Sequence, residues 1–351
     1  MSAFDLLADL PIEVDRYALE GLQGEMAAGW TRACTVVHLY GGGLDGVGED
    51  VVYDAEDHVV LQQAGPVQPL AGRRTLGEFC ELIESLDLFP GPPARDVSRL
   101  YRRWAFDSAA LDLALRQAGV SLHERLGREP AAMRYVCSLR LGEPPTIEPV
   151  TLRLELDPTL RFKLDAVSSW TPALIDELAA TGAVDSIDFK ALYRGTTVDQ
   201  SADPVLYQRV VKAFPDAWLE DPDVVDPATA EVLADQHERI TWDANIHSVS
   251  DIEQLPFPPR MVNIKPSRLG GLRPLCVAYD HCASSGIGAY GGGQSELGPG
   301  RGQAQYLASL FHPDTPNDLA PADYNLARPP AGLPGSPLLP NLDPVGFRTR
   351  P

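Results

Sequence analysis

Between residues 134 and 291 the chain repeats one pattern seven times: a short apolar run of strand character, then a stretch with helical spacing. The runs are 134–138, 160–165, 184–190, 217–220, 240–243, 262–265 and 287–291, with helical segments such as 171–181, 203–214 and 228–236 between them. Strands that alternate with helices pair in parallel. Seven units are enough to curl the sheet into a closed β/α barrel, with an open doubly wound sheet as the alternative.

Four of these runs end in charge: Ile187-Asp188-Phe189-Lys190, Trp218-Leu219-Glu220-Asp221-Pro222, Thr241-Trp242-Asp243-Ala244-Asn245 and Asn263-Ile264-Lys265-Pro266. A strand buried on both faces has no reason to end this way unless the charges are paired or bind something. From Asp188 to Glu220 is 32 residues, from Glu220 to Asp243 is 23, and from Asp243 to Lys265 is 22. One strand–helix unit takes about 30 residues, since about 250 span eight. Asp188, Glu220 and Asp243 are therefore expected on successive strands, converging at the C-terminal mouth of the sheet. Three carboxylates there repel unless a cation neutralises them, and hard oxygen donors favour Mg²⁺.

The same positions resemble the enolase superfamily, in its muconate-lactonizing and mandelate-racemase-like branch, over nearly the whole chain. Asp45-Gly46-Val47-Gly48-Glu49 resembles that family's G-x-G-E turn, and residues 105–115 with 120–127 resemble its cap helix and the segment after that helix. Glu220-Asp221-Pro222 resembles its E-x-P, Lys265 with Leu269-Gly270-Gly271-Leu272 its sixth-strand lysine and G-G-L, and Gly293-Gln294-Ser295-Glu296 its seventh-strand loop.

The resemblance implies an α/β chain: a (β/α)7β-type TIM-like barrel over 131–312, an α+β capping domain over 1–130, and a proline-rich tail over 313–351 that completes the cap. It implies Asp188, Glu220 and Asp243 as Mg²⁺ ligands and Lys265 as an acid/base. The reaction it implies is removal of the proton α to a carboxylate, with the enediolate held on the metal, by an isomerase, cycloisomerase, lyase or dehydratase acting on a small carboxylate. Glu296, Asn245 and Ser138 are supporting or substrate-binding candidates.

Two departures stand out. The family's second strand carries K-x-K, whereas this chain has Lys163-Leu164-Asp165; the third strand carries D-x-N, whereas this chain has Asp188-Phe189-Lys190. In one register Asp165 takes the base position and Lys163 the first lysine; in the other Lys163 is the base. Alternate strand residues share a face, so Asp165 and Lys190 are expected to meet inside the barrel, with the second catalytic ammonium moved to Lys190. If Lys163 or Lys190 works with Lys265, a two-base racemase or epimerase is the alternative. If neither does, one-base chemistry or a non-catalytic barrel remains.

The remaining sequence excludes more than it adds. There are 29 Lys+Arg against 49 Asp+Glu, a net charge of −20, which disfavours nucleic acid and anionic membranes as partners. Five dispersed cysteines without C-x-x-C exclude a disulfide framework and fit a reducing cytoplasm. No basic leader and no apolar run of about 18 residues is present. Strand 33–40, a glycine-rich turn over 41–49 and a helix over 99–118 stopped by Gly119 are expected in the first domain. The segment 21–30 is expected to lie over the mouth as a mobile lid, with Met26 and Trp30 as its apolar side chains. Self-association is an expectation from other capped barrels.

Overall fold

The structure, a computed structural model, describes residues 2–26, 30–196 and 198–350. All seven runs are strands, slightly shorter than expected: Cys137–Leu139, Phe162–Asp165, Val184–Asp188, Trp218–Glu220, Ile240–Trp242, Met261–Ile264 and Gly288–Gly291. They form one parallel sheet in which each pairs with the next in chain order. Helix starts follow the sequence closely. Thr171, Asp203 and Asp226 each accept a backbone N–H at the start of Pro172–Ala180, Pro204–Ala213 and Pro227–Leu233. Proline at the first helical position loses no bond, because that N–H has no partner in a helix.

The first and seventh strands do not pair with each other. Residues 317–318 stand between them: Tyr135 bridges Asn317, and Gly292 bridges Asp318, both in parallel. Asp318 N–H donates to Gly291 O, and Val136 N–H donates to Asn317 O. The barrel is thus completed by a two-residue eighth stave from the start of the proline-rich segment. Further on, Leu338 pairs with Met133 beneath the barrel. Phe347 is buried against the Trp104 and Tyr306 rings, and Arg348 reaches Asp112 at 2.5 Å.

The N-terminal region packs the helix Ser98–Ala118 on an antiparallel sheet of Arg16–Glu25, Thr31–Gly41 and Leu44–Asp50. Gly119 ends the helix at φ 70°, as expected. The turn expected over 41–49 is confined to Gly42 and Gly43; the rest is strand. Gly46 and Gly48 let that strand touch the helix backbone. A Cβ on Gly48 would lie 2.1 Å from Ala105 O, and one on Gly46 2.2 Å from Ala109 O.

The expected lid is also mostly strand, because residues 21–25 pair with 31–35. Met26 N–H donates to Trp30 O at 3.0 Å, and Ala27, Ala28 and Gly29 lie outside the described residues. Among the described residues, no helix is long and apolar enough to cross a membrane.

Candidate active site

Strand register sets the site. Asp165 is opposite Asp188, and Asp188 is opposite Glu220, so three carboxylates stand side by side on strands two to four. Asp188, Glu220 and Asp221 have oxygens within 4.8 Å of one another, and all are fully buried. Both Asp221 oxygens are already taken, by Asp243 N–H at 2.8 Å and Ala244 N–H at 2.9 Å. Asp221 therefore anchors the turn that carries Asp243. Asp243 is 1% exposed, and its Oδ2 accepts from Lys265 Nζ at 2.8 Å and Tyr193 OH at 2.9 Å. Arg268 donates to its Oδ1 at 3.0 Å.

Two more ammoniums reach the cluster. Lys163 donates to Glu220 in a very short bond and lies 3.1 Å from Asp188 Oδ2 and 3.5 Å from Asp318 Oδ2. Lys190 donates to Asp188 Oδ2, also in a very short bond, and lies 3.5 Å from Asp165 Oδ1. Lys190 and Asp165 do meet, but the nearer partner of Lys190 is Asp188. The cause is local. Lys190 has φ 54°, so the chain leaves the strand and the side chain folds back two residues. Tyr290 OH donates to the far oxygen of Glu220.

Burial dominates the proton affinities here, and the neighbours decide their sign. Burial alone would raise Asp188 and Asp243. The Lys190 and Lys163 ammoniums on the first, and Arg268 and Lys265 on the second, hold both below the usual carboxylate range. Glu220 stays raised, because burial and the Asp188 and Asp243 charges outweigh Lys163. Asp221 is pushed up to about 7 by burial and then by Asp243 and Asp188. Burial would lower Lys163 and Lys190, but the facing carboxylates raise both. The facing carboxylates thus favour the charged form of both amines.

The mouth holds two adjoining cavities of about 640 and 650 Å³, which share Trp30, Arg140, Gly293 and Asp318. Lys163, Lys190 and Lys265 line the first, with Tyr53, Arg95 and Tyr193. Ser138, Asp165 and Met26 line the second, with Arg301. Asp188, Glu220 and Asp243 line neither; they lie behind the ammoniums.

Glu296 is turned away from Lys265: it accepts from Gln294 N–H at 2.7 Å and pairs with Arg301 at 3.2 Å. Asn245 leaves its side-chain oxygen buried without a partner. His247 holds Asp251 through its backbone N–H. Arg268, Tyr193 and Tyr290 are site residues that sequence reasoning does not single out. Arg268 lies one helical turn after Lys265, and Tyr290 is a polar side chain within an apolar strand, so each carries a faint local signal.

The architecture is that of the enolase superfamily. A member of that superfamily from Listeria innocua Clip11262 superposes with TM-score 0.67 at 18% identity, over 97% of this chain and 98% of its own. A dipeptide epimerase from Methylococcus capsulatus, complexed with Mg ion, gives 0.66 at 19% over 89% and 92%. Muconate lactonizing enzyme from Pseudomonas putida gives 0.63 at 17% over 88% of each chain. No curated protein matches the chain in sequence. Models for the N-terminal and C-terminal domains of DUF8230, described as a domain of unknown function, match residues 5–125 and 129–326. The chain belongs to the DUF8230 family.

Proposed function

We propose that this protein is a divalent-metal-dependent enzyme that moves the proton α to the carboxylate of a small substrate, as an isomerase or lyase. Lys265 is the proton-transfer group. The observation that carries the reading is the charge of the mouth. Six carboxyls (Asp165, Asp188, Glu220, Asp221, Asp243, Asp318) face four cations (Lys163, Lys190, Lys265, Arg268). Carboxyls outnumber cations, and burial with mutual repulsion raises Glu220 and Asp221, so added positive charge there would be accommodated. The donors are hard oxygens, which suits Mg²⁺, and the M. capsulatus epimerase fold neighbour carries Mg. Asp188, Glu220 and Asp243 would hold the ion. Bound there, it supplies positive charge against the second negative charge that develops on the substrate carboxyl as the α-proton leaves.

The chain's own groups divide the remaining work. Lys265 shares its carboxylate partner, Asp243, with Arg268 and Tyr193, so that carboxylate's charge is spread over three donors. Lys163 and Lys190, kept charged, attract the substrate's carboxylate. The cavity walls carry Arg95, Arg140, Lys163, Lys190, Lys265 and Arg301 against Glu143, Asp165 and Asp318. A cationic cavity wall in front of the acidic cluster, in a chain of net charge −20, fits an anionic substrate. Arg140 has no carboxylate within 4 Å among the described residues and stands where the cavities join, placed to hold a distal acceptor. A two-base racemase requires Lys163 or Lys190 to surrender its proton, and the carboxylates around each oppose that. Elimination or cycloisomerisation with one base is therefore favoured.

The test is α-proton exchange in D2O, followed by proton NMR over a panel of hydroxy acids, N-acyl amino acids and dipeptides. Exchange that needs Mg²⁺ and is lost in Lys265→Met is the expected result. Mg²⁺ binding without exchange of any substrate would leave the non-catalytic barrel as the better account.

A further inference from the structure

We propose that Lys190 is a tethered counter-ion of the metal site: its ammonium holds the divalent ion's place on Asp188 and transfers to Asp165 when the ion binds. The ion itself rests on the proposed function; the exchange with Lys190 goes beyond it.

Lys190 uses both oxygens of Asp188. Its backbone N–H donates to Oδ1 at 3.0 Å, and its ammonium donates to Oδ2, which Lys163 also approaches at 3.1 Å. With two ammoniums against Oδ2, an ion that joins Asp188 there would displace one of them. Lys163 is the poorer candidate to leave, because it is 2% exposed and also engages Glu220 and Asp318. Lys190 is on the cavity wall and has somewhere to go. Asp165 Oδ1 is 3.5 Å from its Nζ, and Lys190 is the only cation within 4 Å of that carboxylate among the described residues. Asp165 lines the adjoining cavity, so the receiving carboxylate also faces the mouth.

The backbone points the same way. A lysine at φ 54° adopts a left-handed conformation that side chains other than glycine enter only at a cost. Such strain persists where surrounding contacts impose it, and functional sites are where it collects. Here it turns the side chain back onto Asp188 instead of continuing the strand. On this account Asp165, at the end of the second strand, is neither base nor acid. It is the carboxylate that receives the displaced ammonium. Lys190 is then a positioning residue, and metal binding is an exchange of one cation for another.

The experiment is Mg²⁺ titration calorimetry on the full chain, with Mn²⁺ electron paramagnetic resonance as a second probe. Removing a unit charge a few ångströms from the ion is expected to tighten Mg²⁺ binding at least about tenfold in Lys190→Met. Lys190→Gly, which suits the positive φ, should do the same and covers the case in which the methionine variant folds poorly. Asp165→Asn should weaken binding in the wild type. Because its task disappears with Lys190, the two substitutions should be coupled by about tenfold in a double-mutant cycle. Equal affinity in wild type and both Lys190 variants overturns the proposal and leaves the metal reading standing. So does strict additivity with Asp165→Asn, which would mean independent charges. Absence of Mg²⁺ and Mn²⁺ binding in all variants overturns both.

Discussion

Two regions of this molecule bury charge, and they do it differently. In the N-terminal region Arg102 meets Asp50 at 2.7 Å with neither side chain exposed, and Arg348 meets Asp112 at 2.5 Å. Remaining donors go to backbone carbonyls, as with Arg102 to Leu88 O and Asp57 O. Asp45, Asp112, Arg116 and Arg348 form a group of two acids and two bases, and the buried Glu49 and Asp107 are met by backbone N–H donors. At the barrel mouth acids outnumber bases, single oxygens take two ammoniums, and the chain is strained. The three non-glycine residues with positive φ among the described residues are Lys190, Asp221 and Ser295, all in loops at that mouth. Balanced pairs hold a scaffold together. An unbalanced, strained cluster marks a candidate functional site.

The contrast predicts how each region breaks. The largest effect should be Lys265→Met, which removes the proposed proton-transfer group. Exchange is expected to fall at least about 10³-fold while the melting curve stays cooperative. Next is Arg102→Leu, which leaves Asp50 buried and unpaired and should cost about 3–5 kcal/mol in denaturant titration. The matching variant at the mouth is Glu220→Gln. Metal-free, it should melt at the wild-type temperature or above it, because it relieves excess negative charge, and it should lose the stabilisation that Mg²⁺ gives. A large metal-free loss there would put both regions in the same class.

Asp107 lies on the long cap helix. Burial raises it to about 7, although Leu272 N–H donates to one oxygen; the other oxygen has no partner. Its folded value lies above the unfolded 3.8, so the folded state holds a proton that the unfolded state has released. That contribution is complete below about pH 4 and is lost as pH rises through about 7. Asp107→Asn should flatten this slope, which amounts to a few kcal/mol at most between pH 5 and 9. Smallest is Arg140→Ala, expected to raise KM about tenfold with kcat little changed, as for a group that binds substrate and transition state alike.

Much of the barrel is legible in the sequence because each strand is a short apolar run stopped by a charge, and several helices begin with a capping side chain and then proline. The strand-end acids and Lys265 can be read for the same reason. The eighth stave is hidden, since two residues of a proline-rich stretch have no period to detect. Gly46 and Gly48 read as turn residues because their packing partner, the helix from Ser98, is more than 50 residues away in sequence. Alternation correctly brings Lys190 to Asp165, 3.5 Å away, but misses the nearer Asp188. It predicts the facing strand's Asp165, and only the left-handed turn at Lys190 brings Asp188 nearer. Arg268 and Tyr193 converge on Asp243 from a short helix and a loop, which spacing alone does not reveal.

Glu49, at the end of the third cap strand, lends its two oxygens to the N–H groups of Leu297, Gly298 and Gly300, where the helix Pro299–Phe311 begins. A carboxylate suits that end of a helix. The same contact pins the cap to the loop after the seventh barrel strand. Roof and wall are therefore joined at this point by three hydrogen bonds to one buried carboxylate. Met26, Trp30 and Arg140 line the cavity at the mouth, so on the proposed function a substrate would enter beside a rim that this same cap helps to carry.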